Sequence, residues 1–483
     1  MATTTRNQTQ IDGALYELAA RGVKDTYFIK DDKDSAHPFQ WTYDRWPASL
    51  PETRWTNPLN DPRFGQRCEF EFDLPGDVLV EASLVIDLPT WLPPELAAAN
   101  PTAQTNVANN PNHVYGYVNG IGYFLFDQIE IYQDNILLQN VSGDSLYVTQ
   151  LTRSNWNQGF LQQQLSGVHD GSLISIMKHA TPGRLEIPLP MIGCSSPGDR
   201  GLPLCGLRHQ TFRVRLTLRP LEQLVESSDT TELHPAPWLQ SFDQMRKNPT
   251  TILEDVPAVP RNQIGQPSIV LRTKQLYLLN EARDALAKEV IEVPYIQYFD
   301  NRFNINQLDY TPIDRGGTAI ITKRLDANYT VERIITYFRN TLNVAKNRLY
   351  DFTNSISTDG QFYSDIQLII AGKEREGPWE PALWQSVVID AKQERVSSRN
   401  ICTMDWSRGW RLEDEPPAIR EPTGGINFTT ADRPQLNVTL TDIIRNPDLD
   451  PPLGYKQAQM ISVCESWALY KIENGRGRLE YAN

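Results

Sequence analysis

Gly143-Asp144-Ser145-Leu146 reads as a serine-nucleophile block of the esterase type. A serine in that role needs a histidine base near the C-terminus, with an acid shortly before it, to take the hydroxyl proton. The six histidines are His37, His113, His169, His179, His209 and His234, and none lies in the second half of the chain. The block also follows a hairpin-like segment, where an esterase would place the first strand of a parallel sheet. The surrounding residues therefore argue against hydrolysis at Ser145.

Other chemistry is equally poorly supported. No H-x-H, H-E-x-x-H or C-x-x-C spacing offers a metal site. Asp448 and Asp450 could begin a calcium loop, but Pro451 and Pro452 break it and no glutamate closes it. No glycine-rich phosphate loop follows a strand. Asp31, Asp32 and Asp34 read as a solvated acidic turn. Two carboxylates of a glycosidase could stand among the 59 acidic residues without any sequence signal to single them out. No catalytic, cofactor-binding or metal residue is assigned, and no cofactor is expected.

Composition narrows the partners. A formal net charge of −13 opposes direct nucleic-acid binding, which needs a basic stripe to displace counterions from phosphates. Arg213, Arg215 and Arg219 cluster, and read as the solvated face of a strand. Five widely spaced cysteines, Cys68, Cys194, Cys205, Cys402 and Cys464, fit reduced thiols in a cytosolic setting. The first ten residues are polar and unlike a signal peptide, and no run approaches the roughly 18 apolar residues needed to cross a bilayer. The sequons at Asn7, Asn140, Asn328, Asn427 and Asn437 then read as chance matches. Trp41, Trp46 and Trp55 could form a sugar-binding platform, but read more simply as core or interface aromatics.

The elements that would position any site are mostly strands. With 483 residues, two domains are expected. Period-two alternation recurs at Phe70 and Phe72, at Leu84, Ile86 and Leu88, and at Phe212, Val214, Leu216 and Leu218. Pro75-Gly76-Asp77 and Asp134-Asn135 supply turns. After a proline-rich stretch without periodicity at 226–266, strand signals return at 269–279, 331–338, 365–370, 387–389, 436–440 and 467–472. Short helices are expected at 12–21, where Ile11, Leu15 and Leu18 share a face, and at 281–290, where Ala282, Ala285, Leu286 and Val290 do. Short strands with long irregular loops favour jelly rolls over meanders.

Blocks spread along nearly the whole chain, in order, resemble the double jelly-roll major capsid proteins of nucleocytoplasmic large DNA viruses, the iridovirus and phycodnavirus-like family. They begin with the segment from Gly13 to Tyr27. The next runs from Phe64-Gly65 through Gly76-Asp77-Val78-Leu79 to Leu88-Pro89. Gly120-Ile121-Gly122 and Leu202-Pro203-Leu204 follow, then Tyr277-Leu278-Leu279-Asn280-Glu281. The most specific are Gly424-Gly425-Ile426-Asn427-Phe428-Thr429 and the end, from Tyr470 through Gly475 to Leu479-Glu480-Tyr481. Val78, Thr429 and Arg476-Gly477-Arg478 depart from the family pattern.

The resemblance implies an all-β chain of two consecutive eight-stranded jelly-roll sandwiches with long loops and a few short helices. The expected division is an N-terminal arm and lead-in at 1–60, a first roll at 61–225, a linker or long loop at 226–266 and a second roll at 267–483. Gly65, Gly76, Asp77, Leu88, Pro89, Asn427, Phe428, Gly475 and Tyr481 are the structural motif residues it marks. It further implies a non-enzymatic shell protein of the virion, assembled in the host cytoplasm as pseudo-hexagonal homotrimers that tile an icosahedral capsid. Neighbouring trimers, penton and minor capsid proteins and a membrane beneath the shell would be its partners. The alternatives are a scaffold or minor capsid paralogue and, from other classes, a β-sandwich carbohydrate-active enzyme or a lectin-like module.

Overall fold

The computed structural model describes residues 49–94, 114–153, 165–194, 201–207, 210–243, 255–354, 360–384, 400–406, 424–441 and 457–480. The expected helix at 12–21, the block 13–27, Trp41, Trp46, the strand signal at 387–389, Asp448, Asp450 and Tyr481 lie outside these residues.

Among the described residues, sixteen principal strands form two groups of eight. The first comprises β1 (Ser49–Thr56), β2 (Arg67–Glu71), β3 (Val78–Asp87), β4 (Phe126–Gln133), β5 (Ile136–Val141), β6 (Leu185–Pro188), β7 (Phe212–Leu218) and β8 (Ser268–Leu278). They make two antiparallel sheets, ordered β1-β8-β3-β6 and β2-β7-β4-β5. First pairs with last, second with seventh, third with sixth and fourth with fifth. That nesting is a long hairpin rolled into a sandwich, the jelly roll.

The second group repeats it. Its strands are β9 (Ile291–Ile305), β10 (Ala319–Arg324), β11 (Thr330–Asn340), β12 (Tyr363–Ile370), β13 (Lys373–Trp379), β14 (Ile401–Asp405), β15 (Gln435–Leu440) and β16 (Ala458–Glu473). The sheets are β9-β16-β11-β14 and β10-β15-β12-β13, the first roll's order advanced by eight. Within this group the same nesting holds.

Alternating sequence builds the half-exposed sheets. In β7, Phe212, Val214, Leu216 and Leu218 are buried while Arg213 is exposed. In β15, Leu436, Val438 and Leu440 point inward. Strands β11 and β16 differ, being buried along almost their whole length. A strand covered on both faces needs apolar residues at both parities. Ile334, Phe338, Met460 and Cys464 enter the second roll's core. Ile335, Tyr337, Ile461 and Val463 instead join the core that contains the first roll.

Three expectations are corrected. Strand β8 was expected to open the second roll, but it pairs with β1 and β3, so strand pairing changes hands after Leu278 and not at 267. Residues 226–266 consequently join the seventh and eighth strands of one roll. Strand β1 lies in the span assigned to an N-terminal lead-in. The helix expected at 281–290 runs over Asn280–Leu286 and buries no residue, leaving Val290 exposed.

Most motif residues fall at turns. Gly76 packs its Cα against Gln275, and the Asp77 carboxylate accepts from the Leu278 amide across 2.8 Å, fastening the β2–β3 turn to β8. The Gly65 amide bonds the Arg219 carbonyl. Leu88 packs against the first core, and Pro89 accepts from the Tyr117 hydroxyl. Asn427 accepts from the Thr429 amide, while Phe428 is buried in the second core. Gly475, at φ 78°, turns β16 into the short strand Arg476–Leu479.

Candidate functional site

The most heavily built polar region lies where the two rolls meet, and the Gly143 block forms its centre. Helix Gly143–Arg153 follows β5. It starts so close to the Tyr123 and Phe126 carbonyls that a side chain at Gly143 would overlap both. This brings Asp144, Ser145 and Thr149 against the second roll.

Asp144 is buried and grips two arginines. Its Oδ1 accepts from Nη2 of Arg219 across 2.9 Å, and its Oδ2 from Nη1 of Arg339 across 3.1 Å. Arg219 follows β7 of the first roll and Arg339 lies in β11 of the second. Burial alone would raise the Asp144 pKa, but the two guanidinium groups outweigh it and hold the carboxylate well below its usual range. Arg219 was expected on a solvated strand face and is instead buried, because a carboxylate 75 residues earlier in the chain meets it.

Ser145 is fully buried, donates to Asp300 Oδ1 across 2.8 Å and shares a hydroxyl contact of 2.8 Å with Ser142. Its partners are thus a serine and a carboxylate of the other roll. Thr149 donates to Glu465 Oε1 across 3.2 Å, and Glu465 receives a two-pronged grip from Arg333 at 3.1 Å on each oxygen. Both members of that pair have no exposed side-chain surface.

Neutral bonds extend the seam. Gln139 of β5 donates to the Ile296 carbonyl of β9 across 2.6 Å. The Tyr470 hydroxyl donates to Gln133 across 2.8 Å, and the Gln133 amide donates to the Gly477 carbonyl across 3.2 Å. On another side, Asn347 donates to the Glu222 and Val225 carbonyls at 2.6 and 2.7 Å. Tyr350 donates to Glu226, whose other oxygen lies 2.7 Å from His169 Nε2. The His169 ring stands 4.6 Å from that of His179, whose pKa is lowered chiefly by burial.

The Gly143 block, where the sequence argues against hydrolysis, serves as a structural join, and Arg333, Arg339 and Glu465 carry no motif that marks them. A signal for those three existed, since each is a charge within a strand that also carries a long apolar run, and a buried charge needs a partner. Trp55, weighed as a possible platform residue, is 55% exposed. Among the described residues no cluster of three His, Cys, Asp or Glu side chains could hold a metal ion, and no helix is long and apolar enough to cross a membrane.

No protein-family model matches the sequence, and no curated protein matches it. Solved structures do match. VP54 of PBCV-1, fitted into a reconstruction of the virophage Sputnik, aligns with TM-score 0.66 at 15% identity, covering 92% of this chain and 100% of that one. A quasi-atomic model of the PBCV-1 virus capsid aligns with TM-score 0.64 at 14% identity, with the same coverage. The Faustovirus major capsid protein aligns with TM-score 0.59 at 10% identity, covering 90% of this chain and 93% of that one. The full-length alignments and the two eightfold nests agree: this chain has the double jelly-roll fold of large-DNA-virus capsid proteins.

Proposed function

We propose that the chain is a major capsid protein, working as a structural tile. One observation carries the reading: two rolls of the same strand order are welded into a rigid pair by the buried Asp144–Arg339 ion pair, by the Ser145–Asp300 and Thr149–Glu465 hydrogen bonds and by a shared apolar core. A pair of like modules repeated about a threefold axis gives six modules in a ring, a unit of near-hexagonal outline that covers a flat facet. The tile needs stiffness at the join, since a loose join would let the outline vary. Buried charges that must meet across the seam fix one arrangement.

The homotrimer would contact neighbouring trimers in an icosahedral virion shell, with penton and minor capsid proteins at its margins and a membrane beneath. Assembly in the host cytoplasm fits five widely spaced cysteines with no C-x-x-C pair among them. The surplus negative charge would keep free trimers apart before assembly. Light scattering coupled to size-exclusion chromatography tests the reading. A mass of three times the 55.0 kDa chain is expected, and a stable monomer refutes it.

A further inference from the structure

The connection between β5 and β6 holds a segment packed apart from both main cores. Helix Leu173–Lys178 buries Ile176 and Met177 and no other residue of its own. These two meet Val114 in a small cluster separate from the cores of the two rolls. Leu173 and Ile174 on the same helix are 40% and 56% exposed. A stretch with so little buried apolar surface belongs to the less stable part of a fold. Its two ends are tied to the first roll. Asn119 bonds both the amide and the carbonyl of His169, each across 2.9 Å. The Tyr117 amide donates to the His179 carbonyl across 3.0 Å. Between these anchors, residues 170–178 stand as a flap.

The anchors carry two histidines whose ring centroids are 4.6 Å apart. Nδ1 of His169 accepts from the Gly171 amide across 3.1 Å, so the ring proton sits on Nε2, 2.7 Å from Glu226 Oε1. Nδ1 of His179 lies 2.9 Å from the Ser175 carbonyl and so carries a proton, which leaves its Nε2 to take a second one. Burial opposes that second proton and lowers the His179 pKa, although the Ser175 carbonyl favours the charged ring. Glu226, whose side chain is buried, already stands against His169 and accepts from Tyr350 of the second roll across 2.8 Å. On the flap itself, Asp170 is exposed and accepts from the Ser172 amide, and Lys178 is exposed. On the strand beneath, the Tyr115 hydroxyl donates to Glu232. From the second roll, Arg348 and Asp351 act on Tyr350 with opposite signs.

We propose that residues 170–178 form a flap that is closed at neutral pH and opens in mild acid, with the paired His169 and His179 rings as its catch. A proton gained by His179 sets a cation 4.6 Å from the His169 ring, beside a carboxylate that is already engaged. Opening the flap lets water take up that charge. The folded pKa of His179 lies below its ordinary 6.5, so this support for closure is present above 6.5 and is lost as pH falls through the folded value. Opening would bare Ile176 and Met177 beside the exposed Leu173 and Ile174, an apolar surface that is covered at neutral pH. The rolls themselves stay folded, because neither histidine and no residue of the flap belongs to their apolar cores.

Hydrogen exchange of the full-length protein, read by mass spectrometry and corrected for the pH dependence of intrinsic exchange, tests the flap. Between pH 7.5 and pH 5.5 the protection of amides in helix Leu173–Lys178 is expected to fall about three- to tenfold, the span that one histidine can supply. Strand β7 is expected to keep its protection over the same range. His179→Gln, which cannot take the proton, is expected to hold the flap's protection level. A melting temperature like that of the unsubstituted chain confirms its folding, and His179→Asn replaces it if the larger amide is not accommodated. Unchanged flap protection in the unsubstituted chain, or an equal loss in the flap and in β7, overturns the proposal. A folded His179→Gln chain that keeps the full pH dependence overturns it as well. Should neither variant fold, the comparison of the flap with β7 in the unsubstituted chain decides.

Discussion

Asp144 Oδ2 lies 3.1 Å from Nη1 of Arg339, 195 residues along the chain, and this buried contact ties the two rolls together. Asp144 also holds Arg219, so one carboxylate is shared by a cation from each roll. Replacing it leaves two buried guanidinium groups without their shared anion. Asp144→Ala is expected to cost about 3–5 kcal/mol in chemical denaturation.

Asp300 provides the contrasting case. It is partly buried and its pKa is raised, chiefly by burial, so its charged form is held at a cost at neutral pH. The Ser145 hydroxyl that it accepts can equally be accepted by an amide oxygen. Asp300→Asn is expected to change stability by less than about 1 kcal/mol at pH 7, or to raise it. The two aspartates also respond oppositely to acid. The Asp144 pKa is depressed on folding, so its contribution is present above the ordinary carboxylate pKa of about 3.9 and is lost as pH falls toward its folded value. The raised pKa of Asp300 favours folding at low pH and loses that benefit as pH rises through it. Denaturation of each variant between pH 7 and pH 3 separates the two.

Arg333 and Glu465 form a pair with no exposed side-chain surface, at the centre of the sheet facing both cores. Arg333→Met alone is expected to destabilise by about 3–5 kcal/mol, because Glu465 is left without its cation in a site that cannot hydrate it. Adding Glu465→Leu is expected to recover most of the loss. A double-mutant cycle measured by denaturation checks this.

Gly477 has room for no side chain, since a Cβ there would overlap the Tyr470 hydroxyl. Gly477→Ala is expected to cost on the order of 3 kcal/mol by pushing Tyr470 away from Gln133. Trypsin sensitivity at the C-terminal strand should rise in parallel.

His179 makes the fold weaker in mild acid. Its half-buried ring, beside His169 and near Glu226, resists protonation in the folded chain, whereas the unfolded chain takes the proton near pH 6.5. The folded pKa is depressed, so this contribution is present above that value and lost as pH falls through the folded one. Unfolding free energy is expected to drop between pH 7 and pH 5, and His179→Gln should flatten the slope.

Local patterns were legible in the sequence, and long-range partners were not. Alternation located β7 and β15, and Asp134-Asn135 marked the β4–β5 turn, because neighbouring residues decide those features. Strand β8 has an equally clear local pattern, yet the roll it joins is set by its ladders with β1 and β3, where Lys274 stands opposite Glu81, 193 residues earlier. Its pairing could not be inferred from periodicity, and the boundary was accordingly misplaced. Arg213 and Arg219 look alike in sequence, but one is solvated and the other meets Asp144. The family blocks carried the topology that local propensity could not.

The central claim is that each chain supplies two like boxes and that three chains close them into a six-part ring. Cryo-electron microscopy of the purified, unmodified protein tests it most directly. Class averages viewed down the particle axis should show six lobes with threefold symmetry, two lobes to a chain. Averages showing a free two-lobed particle, or a ring with another number of lobes, would contradict it.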